Sequence, residues 1–146
     1  MTGGILIKKR VPVKISLRTV ISQDGQQEQF NFQETGEFIE LNGKHYLRYQ
    51  EHQNDQVTPV QFRLDEEEVH LHRQGATETR LVFDRERPTI TRYQTEYGTL
   101  TLQVVTNQLE RQVDPLAPAG RLVAAYQLRA GDQLIGTYQL ELQFTA

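Results

Sequence analysis

Apolar and polar residues alternate with period 2 from Val11 to the C-terminus, and clusters of turn residues break the alternation at short intervals. That pattern is the signature of strands with one buried face, joined by tight reversals. Asp24-Gly25 is the clearest reversal, a two-residue loop in which both residues take positive φ. Centring the register there sets Leu17 across from Phe32, Thr19 across from Phe30 and Ile21 across from Glu28. The apolar residues of both strands then share one face, so turn and pattern agree.

Asn42-Gly43 predicts a second hairpin with Phe38 across from Leu47 and Glu37 across from Arg48. Both of its faces are apolar: Phe38, Leu47 and Tyr49 on one, Ile39, Leu41 and Tyr46 on the other. An outer apolar patch needs a cover. Ile39, Leu41 and Tyr46 are therefore the candidate homodimer contact, the alternative being that the N-terminal segment folds across them. Residues 1–10 are expected to be either flexible or packed across the barrel.

A third reversal falls at Asp65 to Glu68, with Leu64 opposite Val69 and Arg63 opposite His70. Val60, Phe62, Leu64, Val69, Leu71 and Arg73 then share a face, while His70 and His72 lie on the other. Tyr97-Gly98 closes a fourth hairpin, turning Thr91, Tyr93, Thr95, Leu100, Leu102 and Val104 inward. The apolar parity switches after Val104 and resumes at Leu109 and Val113, which predicts a bulge. A three-residue loop at Gly131-Asp132-Gln133 would align Leu122, Ala124, Tyr126 and Leu128 with Leu134, Gly136, Tyr138, Leu140, Leu142 and Phe144.

The total is roughly ten strands and no helix, all joined by short reversals. A meander that long does best closed on itself, because closure removes exposed edges. The predicted fold is all-β, a single antiparallel up-and-down barrel of roughly eight to ten strands. A two-sheet sandwich of the same strands is the second choice.

Length and composition add limits rather than chemistry. The chain's 146 residues make one domain, spanning 1–146. A net charge of −3 argues against a nucleic-acid groove or an anionic membrane surface. Without cysteine there is no disulfide, thiolate metal site or cysteine nucleophile. Ile5-Leu6-Ile7 is too short for a signal segment and its charges follow it, so the expected location is cytoplasmic.

The stretch VISQDGQQEQFNFQETGEFIELNGKHYLRYQE from Val20 to Glu51 resembles the YwiB-like family of small bacterial barrels with calycin, lipocalin-like architecture. The resemblance continues through EVHLHRQGAT at Glu68 to Thr77 and TITRYQTEYGTLTLQVVTN at Thr89 to Asn107. Its marks in this chain are Gly36, Tyr46-Leu47, Tyr49, Glu51, Arg73 with Gly75, Phe83, Tyr93, Thr95, Gly98, Leu100 and Thr106. The resemblance implies architecture, brings no catalytic residue with it, and fold alone does not license function.

Motifs for catalysis are missing. Ser16 and Ser22, the two serines, stand in no nucleophile context. His70 and His72 project from one strand face, yet Arg63 opposite His70 repels a metal, so no metal or cofactor is assigned. Asp65-Glu66-Glu67-Glu68 lacks the ligand spacing of a calcium loop. Glu28, Glu34 and Glu51 are rim carboxylates with no fixed separation, so the chain is not read as an enzyme. The best-motivated site is the barrel interior, where Arg73, Tyr93, Thr95, Tyr126 and Tyr138 line an apolar wall and Ala124 and Gly136 leave space. Such a site suits a small apolar or amphipathic anionic ligand, with Arg73 as its anchor. The competing reading is an interaction module with a filled core and a contact centred on Ile39, Leu41 and Tyr46.

Overall fold

The computed structural model describes residues 7–146, which form ten antiparallel strands. These are β1 (Ile7–Gln23), β2 (Gln26–Leu41), β3 (Lys44–Gln53), β4 (Gln56–Leu64) and β5 (Glu68–Gln74). The second half holds β6 (Glu78–Asp84), β7 (Thr89–Thr95), β8 (Gly98–Asp114), β9 (Ala119–Ala130) and β10 (Gln133–Thr145). They form one sheet in the order β6-β5-β4-β3-β2-β1-β10-β9-β8-β7. Neighbours in space are neighbours in sequence, except that β1 pairs with β10 from Lys14↔Thr145 to Ser22↔Thr137. The chain ends are therefore joined by a continuous ladder, and the sheet curls into a nearly closed up-and-down barrel.

The seam lies instead between β6 and β7, which are consecutive strands. In place of a ladder, the Thr89 hydroxyl donates to the Val82 carbonyl at 2.6 Å and the Thr91 hydroxyl to the Arg80 carbonyl at 2.5 Å. A side chain here bridges a gap that backbone groups do not close.

The glycine turns behave as expected. Asp24-Gly25 and Asn42-Gly43 all have positive φ, and Leu17↔Phe32, Phe38↔Leu47 and Leu64↔Val69 pair as the alternation required. Asn54 (φ 50°) and Asp55 (φ 63°) make a further turn of the same kind without a glycine. Three details differ from expectation. The β7–β8 turn is Glu96-Tyr97, since Thr95 pairs with Gly98, although the inward set is unchanged. The bulge in β8 falls between Thr106 and Gln108. The β9–β10 turn has two residues, and a bulge between Leu134 and Gly136 restores the register, which turns Leu134 out to solvent.

An up-and-down barrel places alternate turns at opposite ends. The upper end carries the β1–β2, β3–β4, β5–β6, β7–β8 and β9–β10 turns, the lower end the other four and the C-terminus. Below mid-barrel the interior is filled by Phe38, Leu47, Phe62, Leu64, Val69, Phe83, Leu122 and Leu142, all fully buried. Arg111 on β8 points inward there and donates to the Leu64 carbonyl at 3.1 Å (Nε) and 2.9 Å. Residues 7–10 form the start of β1, pairing with the end of β2 from Ile7↔Leu41 to Arg10↔Ile39. The first six residues, included in the expectation for 1–10, lie outside the described ones.

Candidate functional site

The upper half of the interior is built differently. Alternation along β3 brings Leu47, Tyr49 and Glu51 inward, and along β5 it brings Val69, Leu71 and Arg73. Glu51 is only 2% exposed, and both its oxygens are engaged: one pairs with the Arg73 guanidinium, the other accepts the Tyr49 hydroxyl at 2.7 Å. Two charges removed from water need each other. The Arg73 side chain is 33% exposed, so its guanidinium meets Glu51 on one side and the mouth on the other. Burial pushes the Tyr49 hydroxyl far above its ordinary pKa, and the Glu51 charge adds to that.

This cluster exists because β2 and β3 part above Gly36↔Tyr49, the last pair of their ladder. A Cβ on Gly36 would stand 2.7 Å from Ile15 Cδ1 and 2.7 Å from Tyr49 Cβ, so only glycine lets the strands approach there. Past the split, Glu34 substitutes for the missing partner strand. It accepts the His52 backbone N–H at 2.8 Å and lies 3.0 Å from His52 Nδ1.

Across the barrel stands an aromatic wall. Tyr126 stacks on Tyr138 with ring centroids 5.0 Å apart and tilts against Phe83 at 4.6 Å. Burial raises the pKa of Tyr126 first, then the neighbouring Tyr138, while Arg73 lowers it. Tyr138 is likewise raised by burial and then by Tyr93. Arg73 on β5 and Tyr93 on β7 face the same upper interior by the alternation of their strands. Opposite Tyr126 on β8, the buried Thr106 hydroxyl finds no hydrogen-bond partner among the described residues.

The wall is uncovered at its top. Tyr93 and Leu100, an inward-facing cross-strand pair, are 37% and 49% exposed, whereas Thr91, Leu102 and Val104 farther down the same strands are buried.

Of the five interior residues singled out from the sequence, Arg73, Tyr93, Tyr126 and Tyr138 face the upper interior, whereas Thr95 serves the turn. Its hydroxyl donates to the Gly98 carbonyl at 2.9 Å and accepts the Tyr97 backbone N–H at 3.1 Å, which makes it a turn residue. Nor does Gly136 leave space: a Cβ there would meet the Tyr138 ring at 3.0 Å, because that ring lies over it. Glu51 was read as a rim carboxylate, yet it is the buried partner of Arg73. The parity of Leu47-Tyr49-Glu51 was the signal that could have found it.

Two outer-face readings also change. Ile39 is only 1% exposed, while Leu41 and Tyr46 beside it are half-buried, so the patch presents less apolar surface than alternation alone suggested. Asp65, Glu68 and His70 bring ligand atoms within 4.8 Å of one another, which sequence spacing did not suggest. The Arg63 guanidinium occupies that position, 2.9 Å from both His70 Nε2 and Asp65 Oδ2. A concavity of about 810 Å³ follows the β6–β7 seam on the outside, lined by Arg80, Ile90 and Arg92 among others.

Comparison with known proteins gives concordant results. A family described as a domain of unknown function, DUF1934, matches residues 15–142. The uncharacterized β-barrel protein YwiB of Bacillus subtilis (strain 168) is 30% identical over 128 residues, covering 87% of this chain and 88% of that protein. The crystal structure of the ywiB protein from Bacillus subtilis aligns with a TM-score of 0.80 at 26% identity, covering 96% of this chain and 94% of that one.

Proposed function

We propose that this chain, which belongs to the DUF1934 family, binds a small amphipathic molecule in the upper mouth of its barrel. The observation that carries the reading is the uncovered pair Tyr93 and Leu100. Apolar side chains aimed into a barrel but left in water mark a surface that gains free energy when covered. The unpartnered Thr106 hydroxyl beside Tyr126 supports the same reading, since a buried hydroxyl without a partner is itself destabilising.

The ion pair changes what the head group should be. Glu51 neutralises Arg73, so a plain carboxylate meets a dipole rather than a free cation. A guanidinium has five N–H donors in a planar fork, and Glu51 takes only one side of it. The matching head is therefore an acceptor that adds to the exposed edge of Arg73, with a flat apolar body lying along Tyr138, Tyr93 and Leu100. An anionic head is accommodated when it adds to that edge without displacing Glu51.

Native mass spectrometry of gently purified protein, run beside a denatured sample, tests this. Extra mass that disappears on denaturation is expected. It should be lost in Leu100→Glu and retained in Thr95→Ala, whose hydroxyl serves only the turn. A passenger retained equally by both variants would place binding elsewhere. A bare chain whose melting is unmoved by a panel of amphipathic amides and acids would remove the reading.

A further inference from the structure

The β7–β8 hairpin stands clear of the barrel. Every residue from Arg92 to Thr101 is exposed except the half-buried Thr95, on both faces of the ribbon. β8 gains its second neighbour only at Gln103↔Arg129, because β9 ends at Ala130 and turns away. A two-stranded ribbon alone in water is marginal at best. Among the described residues, four of the seven exposed large hydrophobics (Ile90, Tyr93, Tyr97 and Leu100) belong to this one hairpin.

Backbone alternation says which groups are free. Thr95↔Gly98 flanks the two-residue turn and is a hydrogen-bonded pair, so Gly98, Leu100 and Leu102 bond to β7. Thr99 and Thr101 then point their N–H and C=O groups the other way. They continue the row that β9 satisfies from Gln103 onward, and among the described residues no strand lies beside them. Proteins ordinarily protect such an edge with lysine, proline or a bulge. The run Gly98-Thr99-Leu100-Thr101-Leu102 has none of these and no charge.

We infer that this edge pairs with the same edge of a second copy of the chain, antiparallel about a two-fold axis through Leu100. The run reads alike in both directions around its centre, Thr-Leu-Thr. Antiparallel self-pairing therefore places Thr99 across from Thr101 twice, exchanging four backbone hydrogen bonds. It also sets the two Leu100 side chains against each other on the face that looks into the mouth. Threonine pairs and apolar pairs are favourable cross-strand neighbours, and the contact brings no like charges together. Pairing about a two-fold closes on itself rather than growing into a fibre. Each copy thereby contributes Leu100 to the other's mouth, while the edge contact itself requires no ligand.

The contact is small, which places it among weak interfaces. Sedimentation of the full chain at up to about 1 mM should show a reversible monomer–dimer equilibrium. Thr99→Lys with Thr101→Lys sets lysine against lysine and should leave a monomer with unchanged circular dichroism. Thr99→Glu with Thr101→Lys sets opposite charges across the same axis and should restore the dimer. The chain has no cysteine, so Leu100→Cys should cross-link on mild oxidation, and Gln27→Cys on the β1–β2 hairpin should not. A wild-type monomer throughout that range overturns the inference. So does a dimer indifferent to the two charge pairs, or a Leu100→Cys chain that oxidises no faster than Gln27→Cys.

Discussion

The two ends of the barrel solve the same problem with the same residue type and reach different results. At the lower end Arg111 points inward and its guanidinium caps the Leu64 carbonyl, a neutral backbone group, over a floor of phenylalanine and leucine. At the upper end Arg73 points inward and meets the buried carboxylate of Glu51 beneath tyrosines. The inward aromatics of the lower end are the phenylalanines Phe38, Phe62, Phe83 and Phe144, whereas the upper half sets Tyr49, Tyr93, Tyr126 and Tyr138 beside Phe30 and Phe32. The strands alternate alike at both ends. What differs is reach: β7 and β8 run past β9 at the top, so among the described residues no strand covers their inner face. A barrel closes where its strands end together and stays open where one hairpin is too long.

Truncating the packed end should have the largest effect. Phe62→Ala removes a fully buried ring and should cost about 3–5 kcal/mol in urea unfolding. Tyr93→Ala, at the open end, should cost less than about 1 kcal/mol. Similar costs for the two would mean that the upper end is packed after all, and the contrast would fail.

The ion pair comes next. Arg73→Leu leaves Glu51 buried and unpaired, which should cost about 3 kcal/mol at neutral pH. A deficit well under about 1 kcal/mol in urea unfolding would show that water already reaches Glu51. Glu51→Gln should be milder, because Arg73 is free to turn toward the mouth.

Much of this architecture was legible from the residues, and the exceptions have physical causes. Asp24-Gly25 and Asn42-Gly43 announce positive φ through glycine, and alternation then sets Leu17 against Phe32 and Phe38 against Leu47. Asn54-Asp55 turns the same way without glycine, so nothing local separates it from an ordinary polar pair. Leu134 was placed inside because a three-residue loop and a two-residue loop followed by a bulge give the same downstream register. Of the candidate site, the inward orientation of Arg73, Tyr93, Tyr126 and Tyr138 followed from parity. Glu51 has that parity too, but a carboxylate is expected in water unless its partner is known, and the partner sits two strands away. Ile39 looked like an open patch because alternation tells which face a side chain takes and not what lies over it.

The seam offers a smaller effect that separates strand closure from core packing. Thr89→Val and Thr91→Val each keep the shape of the side chain and remove one hydroxyl–carbonyl bond. Each should cost about 1 kcal/mol. Amide exchange should quicken in β6 and β7 while β1 and β10, joined by a full ladder, stay protected. Uniform acceleration across all ten strands would mean that the seam is no weaker than the rest.

The smallest effect at neutral pH is also the one confined most sharply to the upper end. Burial raises the pKa of Tyr49, Tyr126 and Tyr138 above the ordinary tyrosine value. For a group raised in the fold, the stabilising contribution is complete below the unfolded pKa of about 10 and is lost as pH rises from there through the folded value. Stability should therefore be insensitive to these groups between pH 7 and 9 and fall above about pH 10. Tyrosinate absorbance should show the ionisation of Tyr49, Tyr126 and Tyr138 lagging until the fold is lost. Tyr126→Phe should shallow the alkaline decline, whereas Phe62→Leu at the lower end should lower stability at every pH without changing that slope. If Tyr126→Phe leaves the slope untouched, the upper interior already admits water to its hydroxyls, and the two ends differ in packing but not in dryness.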